Sequence, residues 1–268
     1  MSERYAVIGN PVAHSRSPWI HAAFARLTAQ DIEYSRIEAP LQGFERAVRE
    51  FHAAGGRGLN VTLPFKAQAF DYCRSVSARA KAARVVNTLV LDRGHGDNTD
   101  GVGLVNDLTQ HLGLALAGKA VLLLGAGGAA QGVIGALLDA RVGRLVVANR
   151  TESKAHALAA LHAGVTACAL DALAGQSFDI AINATSAGLA GAAPALPAGV
   201  LRRHMLAYDM VYGRDTPFLA AARAAGADTR DGLGMLVEQA AESFFVWRGV
   251  RPPTRPVLDE LRRELGGG

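Results

Sequence analysis

Apolar residues gather in short blocks along this chain, and the blocks are separated by longer stretches whose apolar positions fall three and four apart. Tyr5 to Gly9, Ile32 to Glu38, the run from Gly58 to Pro64, and Val85 to Leu91 are blocks of the first kind, and so are Ala120 to Leu124, Leu145 to Ala148, Val165 to Leu170, Phe178 to Asn183 and Leu206 to Tyr212. They predict strands. Between them, Pro18 to Ala29, the segment holding Phe44, Val48 and Phe51, Gly101 to Leu112, a stretch ending near Leu158, another from about Thr216, one carrying Gln239, and Pro256 to Leu265 have helical spacing. Strand alternating with helix predicts an α/β fold, and the second half, a βαβ series, predicts a parallel sheet with right-handed crossovers. There is no internal repeat.

Polar residues at the ends of these elements carry the candidate chemistry. Ser17 suits an N-cap and Pro18 a first helical position. Ser15 and Ser17 would then flank a helix N-terminus, where two hydroxyls and the helix dipole can hold a carboxylate, or they are simply a loop residue and a cap. Asn60 and Thr62 alternate toward one face of their strand, which Pro64 ends, and Lys66 lands at the start of the following helix. Open α/β sheets hold ligands beyond the C-terminal ends of their strands. A lysine there does nothing for the helix dipole, so it is either an ordinary surface residue or placed for function. Asn87 lies inside the Val85 to Leu91 strand, and Gly94-His-Gly96 reads as a turn. Asn98-Thr-Asp100-Gly101 also has turn composition, but it stands where the first half gives way to the second, a junction of the sort where small ligands collect.

One stretch has a more specific pattern. Lys119 to Thr151 reads as strand, glycine turn, helix and strand, with Gly125-Ala126-Gly127-Gly128-Ala129-Ala130 at the turn. Gly125 permits the turn, Gly127 lets backbone approach a pyrophosphate, and Ala130 is small enough for helix-to-strand packing. The helix then offers free N–H groups to phosphates. A site for NAD usually carries Asp or Glu at the end of the second strand, whereas this chain has Asn149-Arg150-Thr151 with Lys154 close behind. Those residues suit an adenosine 2′-phosphate and so predict NADP; otherwise Arg150 is a solvated arginine at a strand end.

Composition narrows the classes. Of the 268 residues 50% are hydrophobic and 19% charged, enough to bury a large core in one or two domains. The net charge is +4 and the pI near 9.3, but the basic residues are dispersed and aromatics are few, which argues against nucleic acid. Lysines are scarce, with four (Lys66, Lys81, Lys119 and Lys154) against 24 arginines. Cys73 and Cys168 lack metal-ligand spacing, so reduced thiols and no metal are expected. No apolar run has the length of a membrane span and the N-terminus lacks a signal-peptide core, which makes the cytoplasm the default location.

The runs Gly9-Asn-Pro-Val-Ala-His-Ser15-Arg-Ser17-Pro18-Trp-Ile-His21, Asn60-Val-Thr62-Leu-Pro64-Phe-Lys66, Asn98-Thr-Asp100-Gly101, Gly125 to Ala130, Asn149-Arg150-Thr151, Asn183-Ala-Thr185-Ser186, Tyr208-Asp-Met-Val-Tyr212 and Gly234-Met-Leu-Val-Glu-Gln239-Ala-Ala resemble the shikimate dehydrogenases, in the family's order and over nearly the whole chain. The resemblance implies NADP-dependent reduction of 3-dehydroshikimate to shikimate on the route to chorismate and the aromatic amino acids. It implies Lys66 and Asp100 as the catalytic pair, Ser15 and Ser17 on the substrate carboxylate, and Asn60, Thr62, Asn87, Tyr212 and Gln239 as further substrate contacts. For the cofactor it implies Gly125, Ala126, Gly127, Gly128 and Ala129 at the phosphates, Asn149, Arg150, Thr151 and Lys154 at the 2′-phosphate, and Asn183, Thr185, Met210 and Gly234 in the remaining contacts. The implied architecture is a substrate domain with a mostly parallel sheet over 1–101 plus 235–268, and a Rossmann-like NADP domain over 102–234. The C-terminal helices would pack back on the first domain, and the partner would be a small molecule, bound by a monomer or homodimer. His21-Ala22 departs from the His-Asn of many members, at a position within the helix rather than at the carboxylate. Two other readings fit the pattern: an NAD-using shikimate/quinate dehydrogenase, since Glu152 is near the ribose position, and a non-catalytic NADP-binding regulator.

Overall fold

A computed structural model describes residues 2–185 and 191–266. The chain divides into two units, Met1–Leu104 with Leu236–Gly268, and Val105–Met235.

The first unit contains strands β1 (Glu3–Gly9), β2 (Ile32–Glu38), β3 (Gly56–Val61), β4 (Ser75–Val76), β5 (Thr88–Val90) and β6 (His95–Asp97). Its helices are α1 (Ser17–Thr28), α2 (Phe44–Ala53), α3 (Lys66–Tyr72), α4 (Ala78–Ala83) and the start of α5 (Asp100–Asn106). The sheet runs β2-β1-β3-β5-β6-β4. Its β2-β1-β3 part is parallel, whereas β5 is antiparallel to both neighbours. The β5–β6 pairing has a local cause: a 3₁₀ turn at Leu91–Arg93 closed by left-handed Gly94 (φ +58°) joins the two strands, and so short a connection can only link antiparallel strands. This differs from the sequence reading, in which Gly94 to Gly96 is turn and Val85 to Leu91 is one strand. His95–Asp97 is strand, and β5 begins only after Asn87. Phe44, Val48, Leu59, Phe65 and Val86 fill the core under α2, with the Phe44 and Phe65 rings 5.3 Å apart.

The second unit follows the strand order β12-β11-β10-β7-β8-β9, every pair parallel. The strands are β7 (Ala120–Leu124), β8 (Arg144–Ala148), β9 (Val165–Cys168), β10 (Ile180–Asn183), β11 (Leu206–Asp209) and β12 (Asp228–Arg230). Helices α6 (Gly128–Asp139), α7 (Glu152–Ala159) and α8 (Pro217–Ala224) connect them. This is the doubly wound order, and its direction reverses between β7 and β10. Leu122, Leu124, Val146, Phe178 and Phe218 belong to its core.

Two helices close the chain, α9 (Leu233–Arg248) and α10 (Arg255–Glu264). From Leu236 onward they belong to the first unit. Trp247 stacks on Tyr5 at 4.7 Å and donates from Nε1 to the Leu89 carbonyl at 3.0 Å, while Arg248 pairs with Glu3. The division between units therefore falls inside α5 and inside α9, not in loops. The helix predicted over Gly101 to Leu112 is present as α5 followed by a π-helical turn, Asp107–His111. Among the described residues no helix is long and apolar enough to cross a membrane.

Candidate active site

In the first unit the predicted polar residues collect at the ends of β1, β3 and β5. A Cβ on Gly9 would stand 2.4 Å from Thr62 Cγ2, so only glycine lets the end of β1 close against Thr62. The loop that follows folds back through Ser15 N–H to Val12 O at 3.0 Å. Ser17 is not an N-cap. It lies in the first turn of α1, the cap position is Arg16 in a helical conformation, and Ser15 Oγ accepts from the Ser17 N–H at 3.2 Å and lies 3.1 Å from Ser17 Oγ. The cap bond is thus supplied from two residues further out than the sequence pattern predicts. Arg36 on β2 grips the Ser15 carbonyl with Nε and Nη2 at 3.0 and 2.6 Å, which fixes the serine loop from below.

Lys66 opens α3 and Asp100 opens α5, and their side chains meet with Nζ to Oδ2 at 2.5 Å. Both are nearly out of solvent, with side-chain exposures of 14% and 7%. A charge pair so placed is held by what surrounds it, because removing either partner leaves an uncompensated buried charge. Asn98 Oδ1 accepts from the Asp100 N–H at 3.1 Å, and Asn87 Nδ2 donates to Asp100 Oδ1 at 2.9 Å. The tetrapeptide with turn composition is therefore a helix start whose asparagine fixes the aspartate. Asn60, buried on β3, accepts from Tyr34 Oη at 2.7 Å and donates to Ser243 Oγ at 2.9 Å. Gln239 on α9 lies 3.4 Å from Asn87 Nδ2 through Oε1 and donates to the Leu236 carbonyl at 2.7 Å. Ser15, Ser17, Asn60, Thr62, Lys66, Asn87, Asp100 and Gln239 thus all belong to the first unit. Tyr212 belongs to the second, three residues past the end of β11.

In the second unit the glycine turn sits at the reversal of strand order. Gly125 has φ +110°, and a Cβ on it would meet the Ala184 carbonyl and Thr185 Cγ2, each at 3.2 Å. The ends of β7 and β10 are thereby pressed together at the switch point, where doubly wound sheets bind nucleotides. Gly127 precedes α6 with no side-chain cap, and a Cβ on it would meet nothing within 4 Å. That glycine is not demanded by packing inside the chain; it leaves open space before the N–H groups of a twelve-residue helix, as a phosphate group requires. Ala130 is buried behind the turn. After β8, Asn149 Nδ2 donates to the Thr151 carbonyl at 2.9 Å, and Arg150, Thr151 and Lys154 are exposed. Among the described residues neither Arg150 nor Lys154 has a carboxylate partner. These residues fit a dinucleotide with an extra phosphate.

Asn183 is fixed by a buried carboxyl that sequence reasoning missed, and Asn183 Oδ1 in turn accepts from the Thr185 N–H at 3.2 Å and Oγ1 at 2.7 Å. Asp209 at the end of β11 accepts from Asn183 Nδ2 at 3.1 Å, Thr216 Oγ1 at 2.6 Å and the Val211 N–H at 3.0 Å. Burial holds this carboxyl above its ordinary range in spite of those donors. Met210 N–H donates to the Asn183 carbonyl at 3.0 Å, and a Cβ on Gly234 would strike Asp107 Oδ1 at 1.9 Å. Ser186, part of the motif beginning at Asn183, lies outside the described residues. Among the described residues no group of three His, Cys, Asp or Glu is placed to hold a metal, and both cysteines are free and half-buried.

Three family models match in chain order: the shikimate dehydrogenase substrate binding domain over residues 7–89, shikimate / quinate 5-dehydrogenase over 107–194, and the shikimate 5′-dehydrogenase C-terminal domain over 232–262. A shikimate dehydrogenase (NADP(+)) of Aromatoleum aromaticum is 58% identical, with 99% of each chain covered. The crystal structure of shikimate dehydrogenase from Thermus thermophilus in complex with NADP(H) and shikimate is 36% identical and superposes with a TM-score of 0.87, covering 97% of this chain and 99% of that one. An Ael1 enzyme from Pseudomonas putida superposes at 0.91 with 48% identity, covering 97% and 98%. A substrate-domain match, a doubly wound unit and near-complete coverage at more than half identity lead to one conclusion: this chain belongs to the shikimate dehydrogenase family.

Proposed function

We propose that the protein catalyses the reversible NADP-dependent reduction of 3-dehydroshikimate to shikimate in chorismate and aromatic amino acid biosynthesis. The observation that carries this reading is the buried contact of Lys66 with Asp100 at the paired helix starts of α3 and α5. Reduction of the ketone places negative charge on its oxygen, and a cation within hydrogen-bond reach lowers that barrier. Lys66 supplies the cation and the proton, and Asp100 orients the ammonium and accepts from the reacting hydroxyl in the oxidative direction. Bound NADPH supplies the hydride. Ser15 and Ser17 present hydroxyls to the substrate carboxylate, and Asn60, Thr62, Asn87, Tyr212 and Gln239 take the remaining polar groups. Backbone from Gly125 through Ala129 cradles the pyrophosphate, and Asn149, Arg150, Thr151 and Lys154 hold the 2′-phosphate. Met210 and Gly234 border the nicotinamide, and Asn183 and Thr185 make further contacts to the cofactor. On this reading 1–101 plus 235–268 is the substrate domain and 102–234 the cofactor domain, in a cytoplasmic monomer or homodimer.

The test is the initial rate of shikimate oxidation with NADP and NAD at matched concentrations, and quinate as parallel substrate. Dominance of shikimate with NADP supports the proposal, whereas preference for NAD or quinate moves the chain to the shikimate/quinate branch. No turnover beside tight NADP binding would make it a regulator. Lys66→Ala should lower kcat by a factor on the order of 10³ with a far smaller change in KM for shikimate. Arg150→Ala should raise KM for NADP about tenfold or more, and equal effects on NADP and NAD would remove the 2′-phosphate role.

A further inference from the structure

Behind Asp100 lies a group of hydroxyls that the proposed reaction does not use. Thr88, Thr99 and Ser243 are each completely buried. Asn87 stands between them and Asp100, and the direction of its amide is fixed by partners that cannot reverse. The Thr99 backbone N–H, which can only donate, is 2.9 Å from Asn87 Oδ1, and the Asp100 carboxylate, an acceptor when ionised, is 2.9 Å from Nδ2. Thr88 Oγ1 donates to Oδ1 at 2.8 Å, and the Thr99 hydroxyl lies further off, 3.2 Å from Oδ1 and 2.9 Å from Nδ2, from which it accepts. Thr88 Oγ1 in turn lies 2.8 Å from Ser243 Oγ, which accepts from Asn60 Nδ2 at 2.9 Å and shares its single proton between Thr88 and the Gln239 carbonyl at 3.0 Å. The bonds thus run from Ser243 through Thr88 and Asn87 to one oxygen of Asp100, whose other oxygen holds Lys66 at 2.5 Å.

We propose that Thr88 is a positioning residue of the reaction, supported by Ser243: its hydroxyl locks the Asn87 amide so that Asn87 holds one oxygen of Asp100 and leaves the other turned to Lys66. The catalytic part of this statement rests on the function proposed above; the positioning part concerns the free chain alone. Replacing the hydroxyl with a methyl leaves Asn87 Oδ1 one partner short and puts a larger group against it, so the amide and then Asp100 must shift. Displacements of about an ångström at a reacting group cost as much as about 10²-fold in rate.

The experiment pairs crystal structures of the unliganded variants with their kinetics in shikimate and NADP. Thr88→Val should separate Lys66 Nζ from Asp100 Oδ2 beyond hydrogen-bond distance and lower kcat about 10- to 100-fold, with both KM values within about twofold. Thr88→Ser, which restores the hydroxyl, should keep the contact and most of kcat, and Ser243→Ala should lower kcat about threefold. If Thr88→Val does not fold, Thr88→Ala is read by the same criteria. An intact Lys66–Asp100 contact with unchanged kcat in the hydroxyl-less variant overturns the proposal. So does equal damage in Thr88→Ser, which would assign the effect to packing. A wild-type protein that fails to oxidise shikimate overturns the proposed function instead, and the crystal structures still decide whether Thr88 positions the pair.

Discussion

His21 sits in α1 with both ring nitrogens buried and without hydrogen-bond partners, its ring stacked 4.1 Å from that of Tyr34 and tilted against Trp247 at 5.5 Å. Burial pushes its pKa down from 6.5 to about 3. The unfolded chain takes up the proton first as pH falls, so below the unfolded pKa of 6.5 stability drains away, at about 1.4 kcal/mol per pH unit, until the folded pKa near 3 is reached. His21→Phe removes this drain while keeping an aromatic ring in the stack. Urea midpoints of the variant should therefore decline less than those of wild type from neutral pH down to about pH 4; parallel declines would mean that His21 is protonated in the folded chain. At this scale the residues legible in sequence were those at element ends, such as Lys66 and Asp100, whose positions are set by the period of the pattern. Thr88 and Ser243 were not legible. They lie 155 positions apart, and nothing in either local pattern says that the two hydroxyls meet.

Helix α8 shows how one side chain can serve an element and a site together. Thr216 caps it, accepting from the Leu219 N–H at 3.3 Å, and the same hydroxyl donates to the fully buried Asp209 at 2.6 Å. Thr216→Ala should cost about 1 kcal/mol for the lost cap and about 1.5–3 kcal/mol for the carboxyl left short of a donor. Thr216→Ser should keep most of both, and thermal or urea unfolding of the pair distinguishes them. Five strands of the second unit, β7 to β11, could be read from sequence because each is a short apolar block, whereas β12 (Asp228–Arg230), a polar edge strand, gave no such signal. The hairpin of β5 and β6 could not, since its two glycines do opposite jobs. Gly94 adopts the left-handed turn conformation, whereas Gly96 is in the strand because a Cβ there would meet Cys73 Sγ at 2.4 Å and Val86 Cγ2 at 2.7 Å. Composition alone gives both the look of a turn.

On the scale of the whole molecule, the first unit is assembled from the two ends of the chain. Glu242 on α9 binds Arg79 at 3.0 Å and Arg251 at 2.6 Å, and Trp19 Nε1 on α1 donates to Glu264 on α10 at 2.9 Å. Both tryptophans, Trp19 and Trp247, lie in this unit. A chain ending at Met235 should therefore fail to hold the first unit together while the second keeps its six-stranded sheet. The emission of the remaining Trp19 should shift to that of a solvated indole, and native-like emission would show that α9 and α10 are dispensable. This return of the C-terminus was legible from the order of elements, since the cofactor unit is complete before α9, and from the family resemblance; the periodicity of α9 and α10 defines an apolar face without saying which sheet receives it.

The passages between units, Leu104 to Val105 and Met235 to Leu236, lie within α5 and α9. Proteases take hold of extended chain, so neither joint can be cut until turns of helix have opened around it. Resistance to limited digestion at these two points is therefore a gauge of helix opening, and a nick there would mark the moment at which α5 or α9 frays.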